Sequence, residues 1–170
     1  MTRADEHNAE VLVFTFKEGL LSAMAHDLKL AVGHFSIELD GQALAATFDP
    51  RSLKVVTTRK DGKDSPGLLP TMLYAEIEKN ARDDVLQVKK FPVIRLAAVL
   101  GQDEVLGQLT LCGQTKEVRC KRSETATHQR AEAWVDVRDF GVKPYSAMLG
   151  TLKVQARVQV VVSVKKGQLG

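Results

Sequence analysis

The feature that most constrains this chain is a long alternation of apolar and polar side chains near its C-terminal end. From Leu152 to Val164 every second residue is apolar. The residues between them, such as Lys153 and Arg157, are polar, and only Val161 breaks the pattern. Successive strand side chains point to opposite faces, so this spacing predicts a single strand about 40 Å long at ~3.3 Å per residue. Such a strand exceeds the usual length and must bend around a core. We therefore predict a coiled antiparallel sheet that closes into a barrel.

Shorter alternating segments supply the neighbours of this strand, beginning with Leu12, Phe14 and Phe16 on one face of a first strand. The segment from Leu28 to Leu39 changes phase at Gly33-His34. This change predicts a β-bulge, because one extra residue moves every later side chain to the other face. The remaining predicted strands are residues 43–48, 53–58, 93–100, 105–112, 117–122 and 131–137.

Residues 71–90 have a different periodicity. Leu73, Ile77 and Ala81 recur at helical spacing, and Pro92 prevents the helix from continuing. The sequence therefore predicts an all-β, mainly antiparallel fold. We expect a closed β-barrel of about eight to nine strands with one helical insertion around residues 71–90.

Cys112 and Cys120 lie in a predicted hairpin whose register decides whether they can form a disulfide. A two-residue turn at Gly113-Gln114 suits the type II′ pattern, places Cys112 opposite Thr115 and pairs Gly107 with Cys120. The two cysteines are then about 17 Å apart by the strand rise, which is beyond disulfide reach. We expect both thiols to be reduced, as in cytosolic proteins.

The length and charge of the chain limit its organisation and its partners. A chain of 170 residues suits one domain over residues 1–170, with residues 1–9 expected to be flexible and residues 165–170 forming a polar tail. The 24 Lys and Arg exceed the 21 Asp and Glu by only three, and the basic residues are not interleaved with the few aromatic ones. This pattern is not that of a nucleic-acid-binding protein, so no nucleic-acid partner is predicted.

Targeting, membrane and metal signals are absent from the sequence. Residues 1–10 show no basic start followed by an apolar run, and no run of 18 apolar residues occurs, so we expect a cytoplasmic protein without a membrane span. His26 and His34 would be about 26 Å apart along a strand, and no Cys or His spacing matches a zinc site. There is no glycine-rich phosphate loop and no G-x-S-x-G elbow. No metal and no cofactor is predicted.

Four segments carry a resemblance to a known family. They are Gly41–Pro50 (GQALAATFDP), Phe91–Ile94 (FPVI), Gly107–Lys116 (GQLTLCGQTK) and Asp139–Gly141 (DFG). In this order and spacing they resemble the YceI-like proteins over nearly the whole chain. The resemblance implies a lipocalin-like antiparallel barrel that binds isoprenoid or other amphiphilic lipids. Two further segments, Ala25–Leu28 and Gly141–Gly150, look like a branch of the family, and because no export signal is visible we expect a non-secreted branch.

The barrel interior is the first candidate site. The residues expected to line it are Phe14, Leu44, Phe48, Leu109, Val154 and Val158. A barrel of about eight strands can be filled by its side chains or can hold one small ligand, so both possibilities stay open. The many Ala and Val and few aromatic residues among the inward positions fill less volume and favour a cavity.

A polar cluster at the barrel mouth is the second candidate. The adjacent His26 and Asp27 could anchor a ligand head group, or the carboxylate could orient the imidazole. Lys143 and Tyr145 offer donors on a loop that could cover the same end. If the four residues converged, acid–base or nucleophilic catalysis would be conceivable, whereas a local polar pair that caps a loop is the simpler interpretation.

Three functional hypotheses follow. The leading one is a cytoplasmic barrel that binds a long apolar or amphiphilic ligand, such as an isoprenoid, a quinone or a fatty acid, for transport, storage or sequestration. The second is a small-molecule enzyme that uses His26, Asp27, Lys143 and Tyr145. The third is a structural homodimer with a packed barrel, in which the exposed face of the final strand, including Val161, forms the interface.

Overall fold

A computed structural model describes residues 1–18, 26–147 and 152–169. The described residues form fourteen strands, which are, in chain order, β1 (Thr2–Asp5), β2 (Ala9–Thr15), β3 (Asp27–Val32), β4 (Phe35–Asp40), β5 (Ala43–Phe48), β6 (Leu53–Lys60), β7 (Lys63–Asp64), β8 (Ile94–Leu100), β9 (Glu104–Leu111), β10 (Gln114–Glu124), β11 (His128–Asp136), β12 (Ser146–Ala147), β13 (Leu152–Lys153) and β14 (Arg157–Lys165). A helix, α1 (Tyr74–Asn80), lies between a 3₁₀ turn at Thr71–Leu73 and a π-helical turn at Ala81–Val85. Two further 3₁₀ turns span Pro50–Ser52 and Val137–Phe140.

Twelve of the strands belong to one antiparallel sheet, in the order β1-β4-β5-β8-β9-β10-β11-β14-β2-β3-β6-β7. The remaining two, β12 and β13, pair with each other. The predicted mainly antiparallel all-β fold with a short helix after residue 70 is therefore confirmed. The number of barrel strands and the closure of the barrel stay predictions.

The phase change at Gly33-His34 marks a change of strand and not the expected bulge within one strand. The Gly33 amide donates to the Ser52 carbonyl (3.1 Å), and the Asp49 amide donates to the His34 carbonyl (3.0 Å). β3 pairs with β2 and β6, whereas β4 pairs with β1 and β5. Only Gly33 and His34 connect β3 to β4, although these strands lie near opposite ends of the sheet order. The sheet must therefore curl until the end of β3 and the start of β4 lie within about 11 Å of each other.

The segment from Leu152 to Val164 is not the predicted single strand. Leu152 and Lys153 form β13, Val154 makes an isolated bridge with Lys17, and β14 begins only at Arg157. Between them the Gln155 amide donates to the Phe16 carbonyl (2.8 Å). The prediction was wrong because the alternation continues across a change of pairing partners.

The β9–β10 hairpin turns one residue earlier than predicted. Cys112 (φ 49°) and Gly113 (φ 76°) both have left-handed backbone conformations, which is the type I′ pattern, so the predicted type II′ turn was wrong. Cys120 consequently pairs with Val105. The observed register of β9 and β10 differs from the predicted register by two residues. An even shift keeps every side chain on the expected face. Both cysteines are free thiols.

Residues near both ends of the described chain pack against the body of the protein, although residues 165–168 are exposed. The flexible start at residues 1–9 and the polar tail at residues 165–170 stay predictions. β1 pairs with β4, and Ala4 is fully buried. Leu169 is 8% exposed and belongs to the same apolar cluster as Ala4, Val11 and Ile37. The tail is held by a hydrogen bond from the Lys166 amide to the Thr127 carbonyl (3.0 Å).

The helix covers β3 and β6, where a β-bulge interrupts the pairing. Lys29 pairs with Thr57 and Leu30 with Val55, so Val56 is the extra residue. A bulge disrupts the ladder locally, and the Val55 amide finds its acceptor outside the ladder, in the side chain of Glu78 on α1 (N–Oε1 2.9 Å). Glu78 is therefore a buried carboxylate (8% exposed) that joins the helix to the sheet.

Candidate ligand cavity

An apolar cavity of about 110 Å³ lies inside the curled sheet. Side chains from β4, β5, β8, β9, β10, β11 and β14 line it, together with Leu169 from the tail. The apolar wall includes Ile37, Leu44, Ala46, Phe48, Leu96, Leu100, Val105, Ala133, Val160 and Val162. One continuous apolar surface is thus assembled from strands far apart in the sequence.

Small residues on the inward face explain the open space. Ala46, Ala131 and Ala133 line the cavity with single methyl groups. Gly107 also faces inward, because it pairs with Ala98 and a Cβ built on it would lie 2.5 Å from the Ala98 Cβ. Sites for drug-sized ligands usually measure ~300–1,000 Å³, so a long tail fits only if wall side chains move apart.

The polar part of the cavity wall is at the end formed by the β10–β11 turn and the tail. Arg122 and Cys120 share the inward face of β10, and Gln129 lies on the inward face of β11 because it pairs with the buried Val164. One guanidinium nitrogen of Arg122 donates to the carbonyls of Gly101 and Gln102. Burial raises the pKa of the Cys120 thiol, which is therefore neutral at physiological pH.

The predicted lining residues fall into four groups, the last of which is Phe14 alone. Leu44 and Phe48 line the cavity. Leu109 and Val158 point to the same interior but pack in the neighbouring cluster around Leu111, Val135 and Phe140. Val154 is half-buried and bridges Lys17.

Phe14 lies on the opposite face of the sheet from the cavity. It pairs with Gln159, whereas the next pair, Val13 and Val160, faces inward. The Arg59 guanidinium lies 4.5 Å from the centre of the Phe14 ring and covers it. The inward residues of β2 are therefore Val11 and Val13, and the phase assigned to this strand from the sequence was wrong.

The four residues of the predicted polar mouth have separate roles. The Asp27 carboxylate accepts a hydrogen bond from the Lys17 amide (2.8 Å), and the Tyr145 hydroxyl accepts one from the Asn80 side chain (3.2 Å). His26 is half-buried and Lys143 is exposed. Over residues 1–18, 26–147 and 152–169, no hydrogen bond or ion pair joins His26 or Asp27 to Lys143 or Tyr145. Whether these residues contact a ligand stays a prediction.

Sequence reasoning missed Arg122, Gln129 and Leu169. The hairpin register contained the signal for Arg122, because residues two apart on β10 share a face and Cys120 was placed opposite Gly107. Nothing in the local pattern marks Leu169, which reaches the cavity only because the tail folds back.

The outer face of the sheet differs from the interface expected for a homodimer. Val161 is only 4% exposed, so the expectation that it contributes to an exposed face was wrong. Trp134 is 51% exposed, stacks on Phe16 (ring centres 5.4 Å apart) and is covered by the Arg157 guanidinium at 5.0 Å. The dimer itself stays a prediction.

Two further observations concern metals and membranes. The described residues contain no group of three or more His, Cys, Asp or Glu side chains arranged to hold a metal ion. Within the same part of the chain, no helix has the length and apolar character that crossing a membrane requires.

Several solved structures share this fold. A polyisoprenoid binding domain from Saccharophagus degradans, implicated in plant cell wall breakdown, aligns with a TM-score of 0.59 at 10% identity and covers 96% of this chain and 95% of its own. BcnA of Burkholderia cenocepacia aligns with a TM-score of 0.57 at 18% identity, covering 92% and 95%. The Campylobacter jejuni YCEI protein aligns with a TM-score of 0.51 at 13% identity, covering 82% and 85%.

A search of curated proteins finds no match to this sequence. The model of the YceI-like domain matches residues 5–165. This match covers nearly the whole chain and agrees with the resemblance of the four sequence segments. The chain therefore belongs to the YceI-like domain family.

Proposed function

We propose that the protein binds one long apolar or amphiphilic molecule in the cavity and serves in its transport, storage or sequestration. The observation that carries this proposal is the continuous apolar wall built by seven strands, with Arg122 and Gln129 at one end. The related fold of a polyisoprenoid binding domain supports it. The ligand classes we consider are isoprenoids, quinones and fatty acids.

Apolar burial can supply the affinity. Each buried CH₂ contributes ~0.8 kcal/mol, so about ten buried groups supply roughly 8 kcal/mol, which corresponds to a micromolar dissociation constant before ordering costs. The space of about 110 Å³ is smaller than such a tail needs, so we expect binding to displace wall side chains. Leu96 and Leu100 line the wall, and a change of side-chain rotamer at these residues would enlarge the space.

The two cysteines provide an internal test. Cys120 lines the cavity, whereas Cys112 lies in the β9–β10 turn with its thiol 3.4 Å from the Leu86 carbonyl. We expect geranylgeraniol, a ubiquinone analogue or oleate to slow iodoacetamide alkylation of Cys120 at least tenfold. The alkylation rate of Cys112 should stay unchanged, so Cys112 serves as the internal control for changes in reagent access and for global unfolding. Equal protection of both thiols, or of neither by any probe, would overturn the proposal.

A second measurement identifies the natural ligand. Native mass spectrometry of protein purified from its own host, with organic extraction, should reveal a lipid at about one molecule per chain. A cavity-filling variant, Ala133→Leu, should release that lipid, because Ala133 lines the cavity wall. Ala43→Leu is the matched control, because Ala43 is exposed at the start of β5. Equal lipid content in both variants would contradict binding in this cavity.

We infer a cytoplasmic location for this activity. The two free thiols are compatible with a reducing compartment. Cell fractionation followed by immunoblotting tests the inference, and recovery of the protein in the periplasmic fraction would refute it.

A further inference from the structure

The end of the cavity near the β10–β11 turn combines an apolar wall with a cation that no carboxylate neutralises among the described residues. Arg122 faces inward on β10, and its guanidinium has only the Gly101 and Gln102 carbonyls as hydrogen-bond partners in that part of the chain. None of the ion pairs in the described ranges includes Arg122. A guanidinium offers five N–H donors, so several remain for a ligand.

The neighbouring polar groups leave this end positively charged. Glu124 shares the inward face of β10 with Arg122, but its carboxylate pairs with the Lys166 ammonium at 3.1 Å. Gln129, opposite Glu124, adds an amide that can donate a further hydrogen bond. The Lys166–Glu124 pair is neutral, so the charge of Arg122 remains for an incoming group.

From this geometry we propose that the ligand is an anionic amphiphile, whose carboxylate or phosphate head group binds Arg122 and Gln129 while its tail fills the apolar cavity. The inference rests on the proposed lipid-binding function and adds the charge and the orientation of the ligand. A charged planar fork pairs well with a carboxylate or phosphate, and the partly buried position makes the pair stronger than a surface one. The amide of Gln129 is neutral, so it does not select for the charge of the ligand and only adds a second contact to the head group.

Leu169 covers the same end. It is 8% exposed, lines the cavity and is held next to the chain start by the hydrogen bond between the Asn8 and Gln168 side chains (3.0 Å). Leu169→Ala should weaken all ligands alike, whereas changes at Arg122 should act only on anions.

The test compares probes that share one tail. Palmitate, hexadecyl phosphate and hexadecanol have the same apolar chain and differ in the head group, and inorganic phosphate has the anion without a tail. Their dissociation constants come from protection of Cys120 against iodoacetamide at pH 8, below the micellar concentration. We expect palmitate and hexadecyl phosphate to bind about tenfold to a hundredfold more tightly than hexadecanol, as for a hydrogen bond to a charged group. Inorganic phosphate alone should give no protection.

Arg122→Gln should abolish the preference for the two anions and change hexadecanol binding by less than about threefold. The matched control is Arg119→Gln on the outer face of the same strand, where Arg119 pairs with Glu104 at 2.8 Å. This control should leave every probe unchanged. Because Arg122 also ties down the 101–102 turn, unaltered hexadecanol binding shows that the variant has kept its cavity.

The two proposals fail in different ways. If all three tailed probes leave Cys120 unprotected, the lipid-binding function itself is wrong. If hexadecanol binds as tightly as palmitate, or if Arg122→Gln keeps the preference for anions, only the assignment of the head-group site is overturned. Protection by inorganic phosphate without a tail would also overturn that assignment.

Discussion

Replacing Glu78 tests the hydrogen bond by which helix α1 is joined to strand β6, which is called the joint below. The carboxylate is the hydrogen-bond acceptor for the Val55 amide beside the β6 bulge, at 2.9 Å in a buried setting. In Glu78→Ala this amide stays buried without a partner, which costs ~1–3 kcal/mol. For a chain of this size ~1 kcal/mol lowers Tm by about 2–4 °C, so we expect a decrease of roughly 2–12 °C.

The size of the effect separates the hydrogen bond from the nearby ion pair. The Lys54 ammonium is 3.8 Å from the other Glu78 oxygen, and its side chain is 66% exposed, so Lys54→Ala should cost less than about 0.5 kcal/mol. Glu78→Gln keeps an acceptor oxygen for the Val55 amide and should recover more than half of the loss. Glu76→Ala is the matched control, because Glu76 is exposed on the same helix.

Urea denaturation and thermal melting of the four variants supply the measurements. The reasoning requires Glu78→Ala to be the least stable and Glu78→Gln to lie close to the native protein. A Glu78→Ala protein within about 0.5 kcal/mol of the native one would show that the Val55 amide finds another partner. Equal losses in the Ala and Gln variants would show that charge, and not the acceptor, stabilises the joint.

Three further predictions concern the interior and the pH response. Gly107→Val should fail to fold or lose at least about 1–3 kcal/mol, because a Cβ there would lie 2.5 Å from the Ala98 Cβ and 2.6 Å from the Ala97 carbonyl oxygen; normal stability by urea denaturation would contradict this packing. A hydrogen bond from Arg138 lowers the pKa of Asp136 in the folded protein. The Asp136 carboxylate therefore stabilises the fold above its unfolded pKa of ~3.9, and this contribution disappears as pH falls through the lower folded pKa. The Asp136→Asn variant should accordingly lose less stability than the native protein when the pH is lowered from 5 to 2. Since burial raises the pKa of the Cys120 thiol, its alkylation should be slower than that of a free cysteine at pH 7.5 and still rising at pH 9.5, and a rate that levels off below pH 8.5 would argue against a buried thiol.

The secondary structure was largely predictable because its signals are local. The strand at residues 43–48 agrees with β5, and the helical segment at residues 71–85 falls within the predicted insertion. Period-two alternation and helical spacing depend on neighbouring residues only, so they are readable without knowing the fold. The order of four short segments was sufficient to indicate the family.

The sequence did not determine which strands pair. The alternation from Leu152 to Val164 runs through two strands with different partners, and the phase change at Gly33-His34 separates two strands near opposite ends of the sheet order. Pairing depends on contacts between residues far apart in the chain, and such contacts leave no periodic trace in either segment.

The candidate site was decided by tertiary structure. Alternation divides the side chains of β2 between two faces but does not show which face is inside. Both faces of β2 are apolar, so Phe14 was assigned to the wrong face. Leu169 reaches the cavity because the tail folds back, and Arg122 keeps an unneutralised charge there, among the residues described, because Lys166 pairs with Glu124. The sequence by itself determined the all-β class, the position of most of the longer strands, the helical segment and the family. The cavity, its inward face and its cationic end exist only once seven strands and the tail meet in space, because each contributes one or a few side chains to a shared wall.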